Sequence, residues 1–162
     1  MKRFGIRGMT AGALFLCLAM AVSTTQAFAW AVNACPLTQG FWKNHPQDWE
    51  AQSLTIGGSS YTKAELLVIL ETPPEGNAVL ILAHQPIAAD LNLALGSNNT
   101  VGPTIEDANN LLQGNCPPGT LGTCVVPASS PAGASMTADA NVLDDFNSGN
   151  LNKDCVPASF AS

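Results

Sequence analysis

Basic charge is nearly missing from this chain. No arginine follows Arg7, and the only later lysines are Lys43, Lys63 and Lys153. Nucleic-acid binding needs clustered Lys and Arg to displace counterions, so that class is excluded. Anionic membrane surfaces are excluded for the same reason. Charged residues of either sign make up only 11% of the chain, yet 46% is hydrophobic, which rules out a disordered polyelectrolyte. Several catalytic signatures are missing too: no G-x-S-x-G, no phosphate-binding glycine loop and no H-E-x-x-H. With 162 residues, one domain is expected.

What is present begins with an address. Lys2, Arg3 and Arg7 precede the apolar run Ala11–Val22, and Ala27-Phe28-Ala29 follows. A positive head, a short apolar stretch and an A-x-A end describe a secretory signal peptide over residues 1–29, cleaved before Trp30. The run falls short of the roughly 20 residues of a membrane helix, so no span is expected after signal removal. Cys17 leaves with the signal. The mature chain, 30–162, keeps twelve acids against three lysines, a formal charge of −9. It is an acidic protein, expected in the periplasm or outside the cell.

Four cysteines remain: Cys35, Cys116, Cys124 and Cys155. An even count in an exported chain predicts two disulfides. Cys116 and Cys124 flank a turn-rich Pro-Pro-Gly-Thr-Leu-Gly-Thr loop and are paired locally. Cys35 with Cys155 then ties the ends. Zinc is the weaker alternative, since neither histidine sits at finger-like spacing from a cysteine.

The hydropathy pattern predicts a mainly α, small, disulfide-closed domain with one minor β-hairpin. Thr38–Asn44 is a turn or short helix, and Pro46 starts a new helical turn. Residues 54–56 and 60–62 around Gly57-Gly58-Ser59 read as the hairpin. Thr62 and Glu65 form a capping box that opens a helix to Leu70. Residues 77–95 are apolar on every side, a pattern of full burial, with Pro86 expected to kink or split the helix and Gly96 to close it. Ile105, Ala108, Leu111 and Leu112 mark a helix over 103–113. Residues 115–135 are rich in Pro, Gly and Ser and read as loop. A last helix is expected after Thr137, with Val142, Leu143 and Phe146 on one face. Residues 156–162 read as a flexible tail.

Unusual side chains crowd into Thr38–Trp49. Trp42 and Trp49 offer flat apolar faces of the kind that stack on sugars, and Lys43, Asn44 and His45 supply polar contacts. These five residues form the candidate ligand-binding surface. The competing reading places both indoles in the core, where large aromatics usually lie. His45, His84 and Asp48, with Asp90 as the other carboxylate, are the candidate ligands of a divalent metal, because two imidazoles, a carboxylate and a water suit catalytic zinc. A structural hydrogen bond is the alternative role for a buried His84. Asp144–Asp154 alternates oxygen ligands, but Gly149 falls one position early for a calcium loop and no Glu closes it. Asn98-Asn99-Thr100 fits a glycosylation sequon.

Two stretches, Thr38-Gln-Gly-Phe-Trp-Lys-Asn-His-Pro46 and Leu82-Ala-His-Gln-Pro-Ile-Ala-Ala-Asp-Leu-Asn92, together with Tyr61-Thr-Lys-Ala-Glu-Leu-Leu67, resemble the motifs of an uncharacterised family of secreted bacterial proteins. A second patch, Leu143–Gly149 through Cys155, is similar to that family's C-terminal end. The resemblance implies a bacterial, exported, single-domain protein and carries no activity with it. The function expected is therefore a secreted or cell-envelope module, non-enzymatic, that binds a glycan or protein partner of neutral or cationic character. The alternative is a metal-dependent hydrolase using His45 and His84.

Overall fold

The computed structural model describes residues 33–158. The signal peptide expected over 1–29, including Cys17, and the last four residues of the expected tail lie outside the described residues. The order is α1 (Gln39–Asn44), a 3₁₀ turn (Pro46–Asp48), β1 (Ser53–Ile56), β2 (Ser59–Thr62), α2 (Lys63–Glu71), α3 (Ala78–Ala94), α4 (Gly102–Asn115) and α5 (Pro131–Asn147). The fold is mainly helical, with one two-stranded antiparallel hairpin and two disulfides.

The hairpin turns on Gly57 and Gly58, whose φ values of +55° and +73° suit a tight two-residue connection. Leu54 faces Tyr61 and Ile56 faces Ser59 across the register. Those pairs face inward, while Ser53, Thr55, Ser60 and Thr62 lie on the outer face. Gly57 also presses on α4: a Cβ there would stand 2.9 Å from the Leu112 Cβ. Its N–H donates to Asn109 Oδ1 at 2.7 Å.

β2 passes directly into α2 through a complete capping box. Thr62 Oγ1 accepts from the Glu65 N–H, and Glu65 Oε2 accepts from the Thr62 N–H. This satisfies backbone donors that a helix start otherwise leaves unpaired.

α3 is the central post. It packs against α1, β1, α2, α4 and α5, most extensively α5. Its all-round apolar character matches that position, with residues 82–89 buried without a break. Pro86 lies inside one continuous helix rather than dividing it. Proline deprives the Leu82 carbonyl of its helical donor, and packing on every side holds the helix together across that defect.

The largest difference from expectation is α5. It begins at Pro131, a full turn and more before Thr137, so the loop expected over 115–135 is shorter at both ends. Ser130 caps it, with Oγ accepting from the Gly133 N–H at 3.0 Å, and Pro131 occupies the first turn, where its missing N–H costs nothing. Met136, Ala140, Leu143 and Phe146 form its buried stripe, whereas Val142, expected on that stripe, is 42% exposed. α4 likewise extends one or two residues beyond 103–113 at each end.

The two ends of the domain meet beside the C-terminus of α3. Ala34 and Val156 form a parallel bridge, and Gly96 O accepts from both Asn33 N and Ala34 N. Cys35 is joined to Cys155, and Cys116 to Cys124. Val156 is thus anchored rather than part of a frayed tail. Among the described residues, no helix is long and apolar enough to cross a membrane.

Candidate functional site

Thr38 caps α1 through Oγ1, which accepts from the Phe41 N–H at 3.2 Å. That cap orients one helical turn so that Trp42 enters the core while Lys43 and Asn44 stay outside. Trp42 is 2% exposed and Trp49 4% exposed. Neither indole presents a stacking face, which corrects the expectation of a tryptophan-based sugar platform.

Both indole N–H groups are committed to the interior. Trp49 Nε1 donates to the Trp42 carbonyl at 2.9 Å, and Trp42 Nε1 donates to Asn92 Oδ1 at 3.0 Å. Asn92 Oδ1 accepts from the Leu37 N–H as well, while Asn92 Nδ2 donates to the Leu37 carbonyl and to Asn147 Oδ1. Asn147 Nδ2 continues the chain to the backbone carbonyl and Oε1 of Gln85. Asn92 and Asn147 are fully buried, and this network gives each amide partners on both its donor and acceptor sides. It joins the segment before α1, α1 itself, α3 and the end of α5. Two of the stretches quoted above as motifs, 38–46 and 82–92, therefore meet the 143–149 patch at one buried polar centre, and 61–67 takes no part in it.

The histidines occupy different settings. His45 ends α1, half-buried. Its ring stacks on Phe41 at 4.2 Å between centroids, and Nδ1 lies 2.9 Å from the Phe41 carbonyl. His84 is buried, with Nε2 2.8 Å from the Ile69 carbonyl. A carbonyl only accepts, so each of these nitrogens carries the proton. Burial lowers the His84 pKa, the Ile69 bond opposes that, and the Lys43 charge adds to the lowering. Asp48 sits in the 3₁₀ turn. Among the described residues, no group of three or more His, Cys, Asp or Glu side chains is placed to hold a metal ion. The expected trio of His45, His84 and Asp48 is therefore not assembled, because each ring is directed by a carbonyl of its own neighbourhood.

Asp90, on α3, is half-buried, and desolvation alone raises its pKa to about 6. On α5, burial raises the Asp139 pKa, and the Asp107 carboxylate across on α4 adds to it.

What remains open to ligands lies elsewhere. Lys43 and Asn44 are exposed, with Asn44 Nδ2 tied to the Gly40 carbonyl. Lys63 Nζ lies over the Trp49 ring, 5.9 Å from its centroid. A groove of about 210 Å³ separates α2 from the loop closed by Cys116 and Cys124. Tyr61, Val68 and Ile69 line one side, and Thr120, Gly122 and Thr123 the other. Sequence reasoning missed this groove, since it joins residues some 60 positions apart and carries no motif.

Comparison with protein-family models, with curated proteins and with solved structures finds no match.

Proposed function

We propose that this chain is an exported, non-enzymatic binding module of the cell envelope or extracellular space, with a neutral or cationic partner. The observation that carries this reading is the buried centre of Trp42, Gln85, Asn92 and Asn147. The side chains that look most chemical in the sequence are occupied in holding α1, α3 and α5 together. They support a scaffold more naturally than a reaction centre. The two disulfides support life in an oxidising compartment. The formal charge of −9 for residues 30–162 supports a partner that is not itself acidic.

The test is expression of the full chain in a bacterium with a periplasm. The expected product begins at Trp30, is recovered outside the cytoplasm with its four cysteines oxidised, and co-sediments with washed cell envelopes in a salt-sensitive manner. It leaves ester, amide and phosphoester substrates intact with or without added zinc. Cytoplasmic retention, or no association with envelopes, overturns the reading. So does chelator-sensitive turnover that disappears in His84→Ala, which would establish the hydrolase instead.

A further inference from the structure

The groove beside α2 is preformed. Its outer wall, the loop between Cys116 and Cys124, is held at three points. The disulfide closes it, the Gly119 N–H donates to Ser59 Oγ at 3.0 Å, and the Leu121 N–H reaches Tyr61 Oη at 3.4 Å. Its floor is apolar, formed by the buried Ile69 and by Val68, which is 61% exposed. At the rim stands Glu65. One of its carboxylate oxygens, Oε2, accepts from Thr62 N and Thr62 Oγ1 at 2.7 Å. Those bonds hold its pKa below the usual carboxylate range, so the negative charge persists at physiological pH.

The polar lining offers acceptors. The Thr120 and Thr123 hydroxyls spend their hydrogens on the Pro117 and Thr120 carbonyls, which leaves oxygen lone pairs free. No lysine lines the groove. Its volume is below the roughly 300–1,000 Å³ of drug-sized pockets and suits one long side chain. Lysine is the side chain that lays an aliphatic stem on apolar surface and carries its charge to a rim. Charge complementarity with the acidic chain points the same way.

We propose that this groove receives a lysine side chain of a basic protein partner, with the stem over Val68 and Ile69 and the ammonium against Glu65. This rests on the binding-module reading and assigns it a site.

The test is a two-dimensional amide NMR titration of the oxidised protein with a short lysine-containing peptide, taken into the millimolar range. Saturable shifts are expected at Tyr61, Val68, Thr120, Gly122 and Thr123. The same peptide with acetylated lysines should produce none. Glu65→Gln keeps the capping box, which Gln also completes, and should weaken binding by about fivefold. Gly122→Leu should abolish it by filling the groove; a Cβ at Gly122 meets only Ile69 Cγ1, at an ordinary 3.9 Å, so the fold accommodates it. Absence of saturable shifts, equal binding of the acetylated peptide, or binding that survives both variants would overturn the proposal. Equally tight binding of a free alkyl diamine would overturn the protein partner in favour of a small amine. Any of these outcomes leaves the module reading to stand or fall on export, envelope association and turnover.

Discussion

At the residue scale, the fold turns on amides more than on indoles. Asn92 makes four hydrogen bonds inside the protein, to Leu37 N, Leu37 O, Trp42 Nε1 and Asn147 Oδ1. Asn92→Ala strands several buried groups at once, each costing about 1–3 kcal/mol. A total loss of about 3–5 kcal/mol is expected in urea denaturation, with Trp42 fluorescence shifting as its indole loses its acceptor. Asp90 works in the opposite direction. Its folded pKa, about 6, lies above the ordinary 3.8, so the stability tied to its proton is complete below about pH 3.8 and lost as pH rises through 6. Asp90→Asn should therefore stabilise the protein at pH 7 by about 1–3 kcal/mol and leave it unchanged at pH 3.5. His84, whose pKa is lowered, has the reverse slope, losing stability as pH falls below about 6.5. The two overlap near pH 6, so the difference between wild type and Asp90→Asn isolates the carboxylate. The tryptophans and histidines were conspicuous in the sequence, but the partners of Trp42 and His84 lie 50 and 15 residues away. An asparagine within an apolar helix was the available sign that a buried polar centre existed.

At the scale of elements, legibility followed local chemistry. The hairpin on Gly57-Gly58 and the capping box of α2 are specified by adjacent residues, and both stand where the sequence placed them. α3 declared its burial by being apolar on every side, and of the kink or split that Pro86 suggested, the split does not occur. The start of α5 was hidden because Pro131-Ala-Gly-Ala-Ser135 has loop-like composition. The sign was Ser130 followed by proline, a cap and a first-turn residue. Gly133 explains why a poor helix former belongs there. A Cβ at that position would stand 2.1 Å from the Pro127 carbonyl oxygen and 2.8 Å from the Ala128 Cα, both backbone atoms that cannot swing aside. Gly133→Ala raises intrinsic helix propensity, but the clash should dominate and destabilise by about 1–3 kcal/mol. Thermal unfolding decides between them: a raised Tm would mean that the 127–128 segment yields.

At the scale of the whole molecule, the two disulfides do different work. Cys35 and Cys155 are separated by 120 positions and Cys116 and Cys124 by 8. The entropy removed from the unfolded chain grows with the loop closed, giving about 5 kcal/mol for the long loop and roughly 2–3 kcal/mol for the short one. The long link also has company: the Ala34–Val156 bridge, the Asn152-to-Asn33 side-chain bond at 2.8 Å and the bond from Asn33 Nδ2 to the Asp154 carbonyl at 2.9 Å all lie on the segments it joins. Without the link, those contacts must hold the chain ends together by themselves. The double variant Cys35→Ala/Cys155→Ala is therefore expected to lose more stability in urea than Cys116→Ala/Cys124→Ala. Its unfolding slope should also rise, because an open chain exposes more surface when it unfolds. The short link should matter also for the groove, whose outer wall it closes, so its removal should cost the smaller share of stability, about 2–3 kcal/mol, and most of the lysine-peptide binding. The reverse order of stabilities would show that native contacts around the short loop, rather than unfolded-chain entropy, set the value of each bridge.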